Sequence, residues 1–423
     1  MAKDINEIKE EVKTIVQDRV MQATKKDLIR SSDKNFRKDV VTYTEATLLK
    51  LLKKNKLDLS NELKKEIIDQ IVSELCGYGS LEQVLEDPYI TDIMVNSPSQ
   101  VFIEKEGKAQ RLKIKFRSQA EIKTIIERMM ISSSKRINQA SPFVDFRLED
   151  GSRVTAVIPP VAKSPALCIR KFSKERFETK DLLAFGTLDQ KILDFLCACI
   201  RSKINILITG STGAGKTTLL TVLANLIDPK ERIVVLEDTE ELSIAESRHF
   251  LKLLTRPPSI EEKGEIGLDN LVRLSLHLRP DRIIIGEVRG EEAFYFLQAI
   301  NTGHEGSMCT LHAEHTVGAL NRLETLGLMA KSNMQLEASK RLVGMGIDLS
   351  IHLKRTAAGK RVISQISEVD YKDGQSLVKN IFLYKEKFET GQEKDYFEFT
   401  GNIPGFIDKL EARSGYSKDK LIK

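Results

Sequence analysis

The spacing of apolar residues predicts helices at the start of the chain. Between Leu63 and Leu75, apolar residues recur three and four positions apart behind Ser60, a residue type favoured as an N-cap, and this predicts one helix. A second helix is predicted over 45–54. Gly and Pro are scarce and Lys and Glu are common, so residues 1–75 are predicted to form a small helical module with a solvated, charged surface.

After Gly77 the pattern changes to short strand-like runs separated by turns. Asp150 and Gly151 form a strong hairpin signal between two of these runs. An amphipathic helix is predicted over 121–131. The predicted strands cover residues 90–95, 101–104, 144–148, 152–158 and 166–172. This mixture predicts an α+β domain at residues 76–178.

From about residue 179 the apolar runs become nearly continuous, with helical stretches between them. Such runs are expected of parallel strands that are buried on both faces. The runs cover residues 204–209, 233–237, 282–285 and 308–311. After about residue 365 the pattern is strand-like again, with Asp373 and Gly374 as a turn. Residues 179–423 are therefore predicted to form an α/β domain around a mostly parallel sheet.

The composition fits a globular protein of two or three domains. The chain has 423 residues, of which 41% are hydrophobic and 30% are charged. A net charge of +5 is too small to indicate nucleic-acid binding, and the five dispersed cysteines form no CxxC pair that would indicate a zinc site. No apolar run is long enough for a bilayer, and the first residues lack a signal-peptide pattern. We therefore expect a cytoplasmic protein that reaches a membrane only through partners.

One Gly-rich segment carries the strongest chemical signal. Residues 210–217 match the Walker A pattern, follow a predicted strand and precede a predicted helix, which is the context that a P-loop requires. Backbone N–H groups of such a loop wrap a polyphosphate, Lys216 would reach the β- and γ-phosphates, and Thr217 would bind Mg²⁺. Thr218 lies close enough to bind the α-phosphate. The predicted nucleotide-binding residues are Gly210, Ser211, Thr212, Gly213, Ala214, Gly215, Lys216, Thr217 and Thr218.

Two further apolar strands end in acidic residues. Glu287 follows the strand 282–285 in a Walker B arrangement, and its carboxylate could hold Mg²⁺ through water or polarise the attacking water. Glu237 opens the acidic cluster 237–241 and is a candidate general base, although an exposed acidic turn would show the same pattern. The spacing does not decide which of the two is the base.

Two of the six histidines, His304 and His312, lie beside the last of the apolar strands. Neither has the spacing of a metal site. Taken alone, each would be read as a buried, hydrogen-bonded side chain. Behind a Walker B strand, both are candidates to bind the γ-phosphate or to relay its loss to a neighbouring subunit.

In this order, the four segments resemble the secretion ATPase superfamily that powers type II and type IV secretion, type IV pili and tight-adherence (Tad) pili. Its Walker A, aspartate-box, Walker B and histidine-box motifs correspond to residues 210–217, 237–241, 283–287 and 303–312. The Tad branch is indicated by segments that look like its N-terminal domain, at residues 76–88, 91–96, 150–160 and 169–172. The zinc-binding cysteines of many type II secretion and pilus-extension members are missing.

The resemblance implies a RecA-like P-loop core that works in a homohexamer. It also implies that each nucleotide lies between the N-terminal domain and the P-loop domain, and that hydrolysis opens and closes the two. Arginines of the N-terminal domain then reach the phosphates, and Arg153 and Arg170 are the matching positions, with Arg256, Arg273 and Arg289 as weaker candidates. The ring is expected to dock on an inner-membrane platform protein and to drive the addition or removal of pilins.

We therefore predict a motor that depends on ATP and Mg²⁺ and binds no nucleic acid. Two other classes stay open. A nucleic-acid motor for DNA transfer would have a basic channel rich in aromatic residues, but aromatic residues are 6% of this chain and Trp is absent. A nucleotide switch that does not hydrolyse ATP would bind it tightly with negligible turnover.

Overall fold

The structure is a computed structural model. It describes residues 4–24, 34–105, 108–131, 133, 135–171, 177–256, 264–330, 334–387 and 394–422. The chain divides into two compact units, Met1–Ser173 and Lys174–Lys423, each with hydrophobic cores of its own. The division into three domains with boundaries after residues 75 and 178 stays a prediction.

Three helices form the first part of the first unit. They are α1 (Ile5–Thr24), α2 (Lys34–Asn55) and α3 (Asn61–Cys76). Their apolar stripes meet in a core that includes Val12, Leu48 and Ile71. Ser60 caps α3 as predicted, because its hydroxyl oxygen accepts a hydrogen bond from the backbone N–H of Leu63 at 3.2 Å.

A six-stranded antiparallel sheet forms the rest of the first unit. Its strands are β1 (Ile90–Ser97), β2 (Gln100–Lys105), β3 (Lys108–Leu112), β4 (Phe143–Arg147), β5 (Arg153–Val157) and β6 (Ala166–Arg170), in the order β3-β2-β1-β6-β5-β4. The short α4 (Glu82–Glu86) precedes the sheet, and α5 (Gln119–Met129) contributes Ile122 and Ile126 to its core. Asp150 and Gly151 lie in the predicted β4–β5 turn, whereas Phe172, at the predicted end of β6, lies outside the described residues.

A nine-stranded sheet organises the second unit. Its strands are β7 (Ile206–Gly210), β8 (Ile233–Glu237), β9 (Phe250–Leu254), β10 (Arg282–Ile285), β11 (Met308–His312), β12 (Leu349–Arg355), β13 (Arg361–Lys372), β14 (Gln375–Lys385) and β15 (Tyr396–Phe399). The order is β15-β14-β13-β12-β7-β11-β10-β8-β9. Six neighbouring strands are parallel to one another: β12, β7, β11, β10, β8 and β9. Beyond β12, the strands β13, β14 and β15 extend the sheet in antiparallel fashion.

Helices cover both faces of this sheet, which gives it two cores. They are α6 (Thr179–Ala184), α7 (Gln190–Arg201), α8 (Lys216–Asn225), α9 (Leu268–Ser275), α10 (Glu292–Asn301), α11 (Thr316–Met329), α12 (Leu336–Gly346), α13 (Ile407–Ser414) and α14 (Lys418–Ile422). None of the described helices combines the length and the apolar character that a membrane span needs. The parallel strands bring Gly210, Glu237 and His312 to one edge of the sheet, since each is the last residue of its strand.

Candidate nucleotide-binding site

The loop between β7 and α8 has the backbone conformation that its glycines allow. Gly210, Gly213 and Gly215 have φ angles of 148°, 74° and 100°, which favour glycine. A Cβ atom on Gly210 would also lie 2.4 Å from the carbonyl oxygen of Leu353 on β12. The Walker A glycines are therefore needed for the turn itself and for its close packing against the sheet.

Lys216 is the first residue of α8, and its side chain folds back under the loop. Its Nζ donates hydrogen bonds to the carbonyl oxygens of Gly210 at 3.0 Å and Ser211 at 2.9 Å, and lies 3.1 Å from Nδ1 of His312. Burial lowers the pKa of Lys216 to about 8, although the charge of Glu287 favours the protonated form. The ammonium group is therefore held in place by three partners.

His312 connects Lys216 to Glu287. Its Nε2 lies 3.1 Å from Oε1 of Glu287, while Arg289 donates from Nη2 to Oε2 of the same carboxylate at 2.5 Å. Burial and the neighbouring Lys216 lower the pKa of His312, so the ring is neutral at pH 7. Because Lys216 donates to Nδ1, we assign the ring proton to Nε2, from which it is donated to Glu287.

Glu237 ends β8 inside the protein, with only 2% of its surface exposed. Its Oε1 accepts hydrogen bonds from the backbone N–H groups of Glu241 and Leu242, both at 2.8 Å. Its Oε2 is buried and accepts no hydrogen bond from the described residues. Burial raises the pKa of Glu237 to about 7, which is the range in which a carboxylate can act as a general base at neutral pH.

Oxygen donors suited to Mg²⁺ lie at the same edge of the sheet. The hydroxyl group of Thr217 donates to Oε2 of Glu241 at 3.3 Å, and Glu287 lies across the loop beside Lys216 and His312. The described residues hold no cluster of three or more His, Cys, Asp and Glu side chains that could enclose a metal ion. This donor set fits Mg²⁺, which commonly binds one or two protein oxygens together with substrate phosphates. The sequence identified Glu241 only as a member of the acidic cluster 237–241 and predicted no role of its own for it.

An apolar cavity of about 290 Å³ opens beside the P-loop. Arg361 at its rim donates from Nε to the carbonyl oxygen of Gly213 at 2.9 Å. The lining includes Phe177, Leu182, Phe185, Ala214, Gly215, Thr218, Leu219, Leu353 and Arg361. The sequence pattern did not identify Phe177, Phe185 or Arg361, because they lie far from the motif along the chain.

His304 lies apart from these residues. It precedes β11 and therefore sits at the amino-terminal edge of the sheet, where its Nδ1 is 3.2 Å from the carbonyl oxygen of Ala299. The fold thus separates His304 from Lys216 within one chain, and a direct contact with the same γ-phosphate is not supported. Its role as a relay between subunits stays a prediction.

The weaker arginine candidates differ in their surroundings. Arg289 joins the cluster through Glu287, whereas Arg273 stacks on the ring of Tyr295 and Arg256 donates to the carbonyl oxygen of Gly264. Only Arg289 of these three therefore contacts a residue of the candidate site in the described part of the chain.

Arg153 and Arg170 belong to the first unit. They face each other across β5 and β6, and Arg153 pairs with Asp145 while Arg170 pairs with Asp92 at 3.1 Å. Both side chains are exposed. Their role towards a nucleotide stays a prediction from the resemblance.

Comparison with known proteins places the fold among P-loop ATPases of secretion machines. The family model described as type II/IV secretion system protein matches residues 74–368. A putative conjugal transfer protein of Mycobacterium tuberculosis is 33% identical over 310 residues, which cover 72% of this chain and 87% of that protein. The type IV secretion system protein PtlH of Bordetella pertussis is 30% identical over 311 residues, which cover 67% of this chain and 91% of that protein. The pilus retraction motor PilT with bound ADP shares the fold, with a TM-score of 0.50 at 21% identity over 71% of this chain and 83% of that chain, and the predicted RecA-like α/β fold is confirmed.

Proposed function

This chain is an ATPase that belongs to the type II/IV secretion system protein family, and we propose that it is a hexameric motor that couples Mg-ATP hydrolysis to pilus assembly or protein secretion. The observation that carries the proposal is the convergence of Lys216, His312, Glu287 and the buried Glu237 at one edge of the parallel sheet. Ligands of open α/β sheets bind at this edge.

In this proposal the P-loop holds the phosphates of ATP. Backbone N–H groups of residues 211–217 and the N-terminus of α8 attract the negative charge. Lys216 exchanges one of its three present partners for a phosphate oxygen. Thr217 and Glu287 would hold Mg²⁺, directly or through water, and the ion would offset charge on the β- and γ-phosphates. The apolar cavity beside the loop receives the adenine and ribose.

Glu237 is the better candidate for the general base. Glu287 is already engaged by His312 and Arg289, whereas Oε2 of Glu237 accepts no hydrogen bond from the described residues. In the proposed step, Glu237 takes a proton from water while the water oxygen bonds to the γ-phosphorus. The bond between that phosphorus and the bridging oxygen breaks, and ADP and phosphate are formed.

His312 provides a connection between the phosphate-binding lysine and Glu287. Movement of Lys216 would alter the hydrogen bond that Nδ1 of His312 accepts. The same ring donates to Glu287 from Nε2. His312 is therefore the proposed residue through which occupation of the phosphate site reaches Glu287, and His304 is proposed to act only between subunits.

The finer assignment is to the Tad pilus branch. It is supported by the upstream segments that resemble the N-terminal domain of that branch, around Asp92, Arg153 and Arg170. On this assignment the chain is a cytoplasmic homohexamer at the inner membrane. It binds a membrane platform protein and acts on pilins only indirectly.

Transfer of DNA is the second candidate function, and the comparisons favour it in one respect. The Mycobacterium tuberculosis relative and a Rhizobium radiobacter relative that is 28% identical both carry the name conjugal transfer protein. A motor that acts on DNA directly should hydrolyse ATP faster when DNA is present.

One experiment separates these functions. ATP turnover and solution mass would be measured for the wild type and Glu287→Gln, with and without Mg²⁺ and with and without DNA. The motor proposal predicts a six-subunit mass and Mg²⁺-dependent turnover that collapses in the variant and ignores DNA. Turnover that appears only with DNA would favour the DNA motor, and tight ATP binding without turnover would indicate a nucleotide switch.

A further inference from the structure

The crest of the P-loop, residues 211–213, is exposed to solvent. A Cβ atom added to Gly213 would meet open space among the described residues, so side-chain packing does not hold this position. What the described residues provide here is a hydrogen bond, in which Nε of Arg361 donates to the carbonyl oxygen of Gly213 at 2.9 Å. Arg361 therefore attaches the crest of the loop to another part of the fold.

Arg361 reaches the loop from the first position of β13. It is 148 residues away from Gly213 along the chain, so no local motif links the two. A Cβ atom added to Gly215 would lie 3.4 Å from Cδ of Arg361, which shows that the aliphatic part of the arginine packs against the outer side of the loop. The P-loop is thus held from outside by a strand of the same sheet.

The hydrogen bond fixes the orientation of one peptide group. In a trans peptide, such as that between Gly213 and Ala214, the carbonyl oxygen and the N–H point in opposite directions. With the Gly213 oxygen held outside by Arg361, the N–H of Ala214 points inward and donates to the carbonyl oxygen of Ser211 at 3.3 Å. Nζ of Lys216 donates to the same oxygen, so this N–H and the ammonium group lie on the same side of the loop.

Without this hydrogen bond the peptide group could turn. Gly213 has a φ of 74°, and glycine adopts positive and negative φ angles at similar cost. A turned peptide would present a carbonyl oxygen, which repels a phosphate, in place of an N–H group. Lys216 restrains the loop from inside, but it gives up one of its partners when a phosphate binds in the proposed function. The hydrogen bond from Arg361 lies on the other side and persists in the occupied site.

We propose that Arg361 is a positioning residue for phosphate binding, whose Nε holds the Gly213 carbonyl outward so that the Ala214 N–H faces the phosphate. This inference rests on the proposed function, in which the P-loop binds the phosphates of ATP. On binding, the Ala214 N–H exchanges its long hydrogen bond to Ser211 for one to a phosphate oxygen. An N–H that is already oriented needs no reorganisation, and this raises the affinity for the nucleotide.

Two other roles of Arg361 have to be separated from this one. Its guanidinium group lies at the rim of the cavity that is proposed to receive adenine and ribose, so its charge could attract the nucleotide directly. Its side chain could also do no more than stabilise the start of β13. The first role requires the charge and the second affects only stability, whereas the proposed role requires an N–H donor at the position of Nε.

The test is calorimetric binding of a slowly hydrolysed ATP analogue, with Mg²⁺, to the full chain and to four variants. Arg361→Gln removes the charge but keeps an N–H donor, because the side-chain nitrogen of Gln is as many bonds from Cα as Nε of Arg. Arg361→Met has the same length and no donor. Arg355→Met is the control, since exposed Arg355 pairs with Arg361 in the register of β12 and β13. Lys216→Met reports whether the analogue binds at the P-loop, and thermal unfolding checks that each variant is folded.

The expected result is a difference between the two Arg361 variants. Arg361→Met should bind the analogue about threefold to tenfold more weakly than the wild type, the contribution of one hydrogen bond. Arg361→Gln and Arg355→Met should both stay within about twofold of the wild type. In turnover of Mg-ATP, KM should rise by the same factor in Arg361→Met while kcat stays within about twofold, because the Ala214 N–H contacts the phosphate before and during the reaction.

Other outcomes overturn the proposal in distinguishable ways. Equal losses of affinity in Arg361→Gln and Arg361→Met would show that the charge is what matters. Wild-type affinity in Arg361→Met would reduce Arg361 to a structural role. If Arg361→Met does not fold, Arg361→Ala removes the same hydrogen bond and takes its place in the comparison. A wild type that does not bind the analogue, or binding that Lys216→Met leaves intact, would reject the P-loop as the phosphate site, and with it the function on which the inference rests.

Discussion

At the scale of single residues, the site consists of charges that restrain one another. Lys216 contacts His312, His312 contacts Glu287, and Glu287 contacts Arg289. Glu237 stands outside this chain of contacts, with one oxygen held by backbone N–H groups and the other near Lys252. This arrangement gives the two acidic residues different chemistry: Glu287 is fixed by cation and imidazole, and Glu237 can gain and lose a proton.

The charge of Lys216 should lower the free energy of unfolding of the nucleotide-free protein. Its pKa of about 8 lies below the usual value for lysine, so the charged form is disfavoured in the fold and the penalty is fully present below pH 8. The penalty disappears as the pH rises from 8 towards the ordinary lysine pKa. We expect Lys216→Met to raise the free energy of unfolding by about 1 kcal/mol at neutral pH, once its lost hydrogen bonds are counted, and to abolish turnover.

Urea unfolding of wild type and variant at neutral pH and at about pH 10 measures this effect. Lys230→Met, at an exposed position before β8, is the matched control and should change stability little. A Lys216→Met protein that is less stable than the wild type at neutral pH would contradict the explanation.

At the scale of secondary-structure elements, close packing fixes the shape of the P-loop. Gly210 lies between His312 on β11 and Leu353 on β12 in the register of the sheet. Its φ is 148°, and a Cβ atom added to Gly210 would lie 2.4 Å from the carbonyl oxygen of Leu353. There is therefore no room for a side chain at this position. Gly213 also has a positive φ, but an added Cβ would meet open space.

Gly210→Ala and Gly213→Ala should therefore differ in stability. We expect Gly210→Ala to lower the free energy of unfolding by more than about 2 kcal/mol, because backbone must move, and Gly213→Ala by about 1 kcal/mol, the cost of a positive φ. Thermal unfolding of the two variants side by side measures the difference. Equal losses would mean that the β12 strand does not restrain the loop.

The strand β10, which leads to Glu287, starts at a fully buried arginine. Arg282 donates to both carboxylate oxygens of Glu231 at 2.8 and 3.0 Å and to the carbonyl oxygens of Ile200 and Gly306. Arg282→Ala would remove this donor from all of these acceptors, although Glu231 would keep its ion pair with Lys203 at 2.9 Å. We expect a loss of about 2 kcal/mol or more, because buried hydrogen bonds are lost and Glu231 keeps only one of its two cations.

Denaturant unfolding measures this loss, and Arg279→Ala is the control at an exposed position in the same segment. The control should stay within about 0.5 kcal/mol of the wild type. A small loss in Arg282→Ala would show that the buried arginine contributes little to the start of this strand.

The sequence predicted the elements whose patterns are local and missed those that depend on distant contacts. The strands β8 and β10 were predicted with their observed bounds, because four consecutive apolar residues in β8 and three in β10 lead to an acidic residue. In contrast, β9 holds Lys252 and is only partly buried, and β12 was hidden by His352 and Lys354. Their identity as strands comes from pairing with β8 and β7, which no single segment reveals.

The same limit applies to the site. Walker A and the two acidic strand ends are short motifs, so Lys216, Glu237 and Glu287 could be identified from the sequence, and the structure brings them to one edge of the sheet. Lys252 and Arg361 reach this edge from other strands and have no motif. His304 and His312 shared one motif, but they lie at opposite ends of β11, since a strand separates residues that are close in sequence.

At the scale of the whole molecule, the proposed motor needs several copies of the chain. The resemblance implies a homohexamer, and one chain has a mass of 47.8 kDa. We expect light scattering to give six times this mass in the presence of Mg²⁺ and a slowly hydrolysed ATP analogue. A monomer or dimer under the same conditions would contradict the ring, although it would leave the chemistry of the P-loop domain intact.

The most direct test of hydrolysis at this site is the rate of phosphate release from Mg-ATP by the wild type and by Glu237→Gln, with Glu246→Gln as an exposed control. We expect turnover by the wild type that requires Mg²⁺ and is preserved in the control. Glu237→Gln should release phosphate at least about 100-fold more slowly, the usual contribution of a general base. Equal rates in the wild type and Glu237→Gln would contradict the assignment of Glu237 as the base, and an absence of turnover in the wild type would contradict the motor itself.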